Sequence, residues 1–130
     1  MSTQLLLDTC TFLWLAADPK RISADARAAL DDAGNDLFLS DVSVWEIVLK
    51  HGAGKLPLPA APAVWIPAQA AFFQLQRLAI EQDAIYLSSD LPPTHRDPFD
   101  RLLAAQARCR AMSVVTPDSP LRDLGADVIW

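Results

Sequence analysis

Four carboxylates, Asp8, Glu46, Asp100 and Asp118, each stand beside an apolar run: LLLDT at 5–9, SVWEIV at 43–48, DPFDRLLAAQA at 97–107 and SVVTPD at 113–118. A charge at the edge of a core is costly unless something pairs with it. Four acids of one sign cannot pair with one another. Their simplest common partner is a divalent cation, and an all-oxygen donor set selects hard ions such as Mg²⁺ or Mn²⁺. Such ions are the usual agents of phosphate chemistry, where they activate water and stabilise charge on oxygen.

Each acid also has a purely local role to weigh. Asp8, before Thr9, can cap a helix or form an Asx-turn. Ser43-Val44-Trp45-Glu46 fits a capping box, in which Glu46 reaches back to a backbone N–H. Ser40 or Asp41 can cap the same helix instead, and the oily neighbours Val42, Val44, Trp45, Ile47, Val48 and Leu49 then favour a ligand role for Glu46. Asp97 precedes Pro98 and makes a natural N-cap, with Arg101 four residues on at ion-pair spacing. Asp100 shares a stripe with Leu103, Ala104 and Ala107 and so points at the protein body. Asp97 is therefore read mainly as cap and as a possible additional ligand, and Asp100 mainly as ligand. Asp118 lies in Pro117-Asp118-Ser119-Pro120, a turn composition, but directly after a buried run. Thr9, Ser43 and Thr116 are placed to aim the carboxylates by hydrogen bonds.

The elements that must position these acids read as alternating strands and helices. Strands are predicted at 4–8, 37–39, 84–87, 113–116 and 127–130. Helices are predicted at 11–17, 22–33 (capped by Ser23), 41–50, 68–82 and 97–110, with a short turn or helix at 121–125. Residues 55–67 hold four of the ten prolines and read as an irregular loop. This alternation implies right-handed crossovers and a mainly parallel sheet covered on both faces. Ligands bind such sheets beyond the carboxyl ends of their strands, where all four acids are expected.

The chain has 130 residues, 52% hydrophobic and 21% charged, a composition that fits one globular domain over 1–130. No apolar run is long enough to span a bilayer, and MSTQLLLDTC has no signal-peptide pattern. Two cysteines without a CxxC pair suit a reducing cytoplasm. The net charge of −5 argues against gripping nucleic acid by bulk electrostatics. It is compatible with a metal nuclease, since bound cations reverse the local field. Lys50, Lys55, Arg96, Arg101, Arg108 and Arg110 can form a basic rim or merely a solvated surface. His51 and His95, the only histidines, are expected as exposed loop residues with no part in catalysis.

Taken in order, LLLDT, SVWEIVLK, GKLPLP at 54–59, HRDPFDRLLAAQA at 95–107, VVTPD and the closing DVIW resemble a PIN-domain protein. The likeness is specifically to the VapC-like toxins of bacterial toxin–antitoxin pairs, and it covers nearly the whole chain. It implies a three-layer α/β/α fold and a metal-dependent endoribonuclease. Asp8, Glu46, Asp100 and Asp118 would then hold one or two Mg²⁺ or Mn²⁺ ions for cleavage of an RNA substrate. It also implies a VapB-like antitoxin laid over the acid-lined groove, and a homodimer. Trp14, Trp45, Trp65, Phe72 and Phe73 are candidate contacts if not simply core, and the helix near 68–80 is the candidate interaction element. A histidine often follows the first Asp-Thr in close relatives; Cys10 stands there in this chain.

Two rivals remain. A phosphatase with Asp8 as nucleophile wants a second Asp two residues on, where this chain has Cys10. A catalytically inactive PIN-like module that binds RNA or protein is the alternative from a different class, and retention of all four acids weighs against it. A P-loop is excluded, because Gly52-Ala53-Gly54-Lys55 has the wrong spacing and no Ser or Thr after the lysine.

Overall fold

The computed structural model describes residues 3–130. Five strands form one sheet: β1 (Thr3–Leu7), β2 (Asn35–Ser40), β3 (Gln76–Leu78), β4 (Ser113–Val115) and β5 (Asp127–Ile129). Their order across the sheet is β3-β2-β1-β4-β5, and every neighbouring pair is parallel. The connections carry α1 (Thr9–Ala17), α2 (Ala24–Asp31), α3 (Asp41–Gly52), α4 (Pro62–Phe72), α5 (Gln82–Asp90), α6 (Pro98–Arg110) and α7 (Ser119–Asp123).

The unbroken Leu5-Leu6-Leu7 run is explained by burial on both faces of the central strand. Leu5 and Leu7 join Phe12, Leu15, Ile47, Trp65 and Val115 on one side. Leu6 joins Val42, Leu103, Val114, Leu121 and Leu124 on the other. The sheet is thus the middle of three layers. Its order reverses at β1 and β4, where Leu7 stands opposite Val115. That reversal opens a crevice at the carboxyl ends of these two strands.

Three elements, α4, β3 and α5, depart from the sequence expectation. Ala84–Leu87 is helical, within α5, and the third strand is Gln76–Leu78 at the end of the expected 68–82 helix. The short AIYL run has strand composition, but only Ala84 is buried, and Ile85 and Tyr86 face outward. Ser88 and Ser89 donate back to the Ile85 and Tyr86 carbonyls at 2.6 and 2.9 Å, which satisfies the helix end locally. The helix before β3 stops because Gln74 adopts a left-handed φ of 55°. It also starts earlier than expected, at Pro62, inside the proline-rich segment and running through Pro67.

Helix α6 is anchored at both ends of its buried stripe. Gln106 accepts from Ser40 Oγ at 2.5 Å and donates to Ala79 O at 3.1 Å, tying the helix to the carboxyl ends of β2 and β3. Arg101 does not pair with Asp97. Its guanidinium donates five hydrogen bonds of 2.7–3.1 Å to the carbonyls of Ser88, Leu91, Pro92 and His95. All five of its N–H donors are thereby used. The i,i+4 spacing suggested an ion pair, but the unpaired carbonyls of the 88–95 segment are the nearer acceptors. Arg101→Met is expected to lower stability by about 3 kcal/mol, as several charge-assisted bonds of part-buried carbonyls are lost together. Urea unfolding of the two proteins measures it.

Candidate metal centre

Asp8 leaves β1 and caps α1: its Oδ1 accepts from Thr11 N at 2.8 Å. Its other oxygen accepts from Thr116 Oγ1 at 2.6 Å. Thr116 follows β4, so the two strands at the reversal are joined through this carboxylate. Asp8 is only 4% exposed. Burial raises its pKa above the ordinary carboxylate range, against the lowering effect of the Thr11 and Thr116 hydrogen bonds, and Asp118 adds a further small rise.

Glu46 lies on the second turn of α3, because Ser40 and not Ser43 is the cap, accepting from Val42 N at 3.0 Å. The capping-box reading is therefore set aside. Glu46 is buried, and its two oxygens have different partners. Thr9 donates to Oε1 at 2.6 Å, and Lys50 Nζ lies 2.5 Å from Oε2. Ser43 reaches Glu46 only through Thr9, by a hydroxyl–hydroxyl contact of 2.9 Å.

Asp97 caps α6, its Oδ1 accepting from Phe99 N at 2.9 Å and Asp100 N at 3.4 Å. Asp100, one turn on, is half-buried. Burial, and then the charges of Asp97, Glu46, Asp118 and Asp8, push its carboxyl up to about 6. Asp118 is exposed just beyond β4, with its N–H donating to Thr116 Oγ1 at 3.0 Å.

These acids, distant in sequence, line one open cavity of about 410 Å³. Asp8, Glu46, Asp97, Asp100 and Asp118 supply its carboxylates, Lys50 and Lys55 its ammonium groups, and Leu13, Trp14 and Leu56 its apolar wall. The placement of Lys55 and Leu56 at the cavity was not legible from spacing, since it depends on the 52–61 turn folding back towards α1. Cys10 also lines the cavity. Burial, and then Asp8 and Asp118, push its thiol up to about 12, so the metal-free protein keeps it protonated. Neither histidine lines the cavity, and neither is fully exposed. His51 belongs to α3 and its Nδ1 lies 3.0 Å from Leu56 O; His95 Nε2 lies 3.1 Å from Asp123 Oδ2.

The donor set suits a hard divalent cation: the cavity is lined by carboxylate oxygens, and burial first, then the neighbouring carboxylates, raise Asp100 to about 6 in its absence. Among the described residues, no three of these side chains close on one point as a finished ligand cage. An open, oxygen-lined cavity agrees with ions that keep several waters and take only a few carboxylates.

A five-stranded parallel sheet in this order with helices on both faces is a doubly wound, three-layer α/β/α fold. Residues 5–126 match the model of the PIN domain, and the chain belongs to that family. Among individual proteins it is similar to ribonuclease VapC22 of Mycobacterium tuberculosis, 28% identical over 122 residues that cover 92% of this chain and 91% of the relative. Its fold is shared by VapBC2 from Rickettsia felis, solved bound to a promoter DNA fragment, with a TM-score of 0.68, 14% identity and 97% of each chain covered. VapBC from Salmonella typhimurium, solved bound to DNA, gives a TM-score of 0.66 at 20% identity, covering 97% of this chain and 96% of that one.

Proposed function

We propose that this chain is a metal-dependent endoribonuclease, the toxin of a VapBC-like type II toxin–antitoxin pair, acting in the cytoplasm. The observation that carries the proposal is the convergence of Asp8, Glu46, Asp100 and Asp118 on one cavity at the β1–β4 reversal. The similarity to ribonuclease VapC22 over nine-tenths of both chains supports RNA as substrate.

When bound, Mg²⁺ or Mn²⁺ supplies Lewis-acid stabilisation of a phosphoryl oxygen and a more acidic water. The chain's own residues set the geometry. Asp8 is the central ligand, held rigid by Thr11 N and Thr116 Oγ1. Thr9 fixes Glu46 through Oε1, so Oε2, which Lys50 contacts at 2.5 Å, is the oxygen left for a metal. Asp100 enters from the first turn of α6, and Asp118 from the turn just beyond β4, with Asp97 mainly the cap. Leu13, Trp14 and Leu56 form a wall against which a base or ribose can pack.

The fold's likeness to VapBC complexes supports a VapB-like antitoxin as partner. An apolar groove of about 570 Å³ between α3 and α4, lined by Val44, Val48, Ile66, Pro67, Ala70 and Leu75, supports it as well. Leu49 of α3 and Val64 and Phe72 of α4 are exposed, whereas Trp45 packs against Phe99 at 5.1 Å and Trp65 is core, packed against Phe12 at 5.8 Å. A homodimer is part of the same proposal. No helix among the described residues is long and apolar enough to cross a membrane.

The test is incubation of antitoxin-free protein with total bacterial RNA in Mn²⁺ or Mg²⁺. Discrete fragments that vanish with EDTA are expected. Intact RNA, with tight RNA or protein binding, would instead make the chain an inactive binding module.

A further inference from the structure

The cavity holds five carboxylates, yet among the described residues only one of them has an ionic partner. Lys50 Nζ sits 2.5 Å from Glu46 Oε2. The two partners differ in freedom: the Glu46 side chain is 10% exposed and pinned by Thr9, whereas Lys50 is 51% exposed at the cavity mouth. The ammonium therefore covers the one oxygen of Glu46 that Thr9 leaves open. A lysine on a flexible four-carbon stem can leave that position without moving α3.

We propose that Lys50 is an exchangeable counter-ion: it neutralises Glu46 in the metal-free protein, yields Oε2 when a divalent cation binds, and then grips an RNA phosphate at the cavity mouth. The inference rests on the metal-nuclease reading above and adds a positioning and substrate-binding residue to it. The geometry favours exchange over a fixed ion pair. The Thr9 hydrogen bond to Oε1 does not depend on Lys50, and the exposed end of Lys50 already lines the cavity that RNA must enter. An ammonium left beside a bound cation is repelled by it, and a backbone phosphate is the nearest new partner that the proposed substrate offers.

The test compares wild type, Lys50→Met and Lys50→Arg. Mn²⁺ affinity is measured by calorimetry, and RNA affinity with a short labelled single-stranded RNA in Ca²⁺ at several salt concentrations. Lys50→Met removes the competing cation, so Mn²⁺ is expected to bind about 5–10-fold more tightly. The same variant is expected to bind RNA more weakly, with the slope of log K against log salt reduced by about 0.7, the value of one single-strand phosphate contact. Lys50→Arg, which keeps the charge, stays within about twofold of wild type in RNA affinity and salt slope. A merely structural role moves both affinities in the same direction, and that result, or unchanged Mn²⁺ affinity in Lys50→Met, overturns the exchange while leaving the metal site standing. Failure of wild type itself to bind Mn²⁺ overturns the metal reading, and the exchange with it.

Discussion

Asp8→Asn is expected to lower metal-dependent RNA cleavage at least about 100-fold while leaving the protein folded. Partners one step removed from a metal are worth about 10–100-fold in affinity or activity, and a central ligand is worth more. The substitution is nearly isosteric. Its carbonyl oxygen still accepts from Thr11 N, and its amide turns towards Thr116 Oγ1, whose oxygen can accept. What is lost is a buried negative charge that the fold itself disfavours, as the raised pKa of Asp8 records. The metal-free variant should therefore be at least as stable as wild type. With Mn²⁺ at about 100 times its Kd, wild type gains about 2.7 kcal/mol, or roughly 10 °C in Tm for a chain of this size. Asp8→Asn should lose most of that gain. Thermal melts with and without Mn²⁺, run beside the RNA assay, separate this outcome from misfolding: a variant that melts far below wild type without metal would mean that Asp8 is chiefly structural.

The stability pattern expected of Asp8 is also why the acids were legible in the sequence. A lone carboxylate in LLLDT or SVWEIV works against burial and so calls for a partner; in the structure Asp8 has Thr11 N and Thr116 Oγ1, and Glu46 has Thr9 and Lys50. Asp97-Pro98 likewise announced the start of α6, because an Asp cap and a proline at the first turn satisfy the same backbone geometry. The third strand was not legible. AIYL has the better strand composition, but β3 is a three-residue edge strand, Gln76–Leu78, with two exposed residues. Register with β2 selects it, through Phe38 opposite Gln76 and Ser40 opposite Leu78, and not composition. Arg101 was misread for a related reason. Spacing along a helix gives candidate partners on that helix only, whereas its four acceptor carbonyls come from the neighbouring segment. The Glu46–Lys50 pair has i,i+4 spacing, and its significance depends on Thr9 occupying the other oxygen across 37 positions of sequence.

Acidification should stabilise the metal-free protein and destabilise the metal-bound one. The carboxyl of Asp100 is raised from 3.8 to about 6, chiefly by burial and next by Asp97 and Glu46. Between those values the folded chain binds a proton at Asp100 that the unfolded chain does not. Stability therefore falls as pH rises through that window: the protonated form's advantage is fully present below pH 3.8 and lost by the time pH passes about 6. The raised pKa of buried Asp8 acts in the same direction. A half-buried group keeps part of its solvation, so the loss attributable to Asp100 is about 1–2 kcal/mol. Saturating Mn²⁺ reverses the sign, because ligand carboxylates must shed their protons to bind, so metal-linked stability should grow as pH rises from 5 to 7 (roughly the titration range of such a site). Urea unfolding at a series of pH values, in EDTA and in Mn²⁺, should give curves of opposite slope. Asp100→Asn should flatten the EDTA curve and remove much of the Mn²⁺ response. Parallel slopes in EDTA and Mn²⁺ would mean that the crowded carboxylates are not where the cation binds.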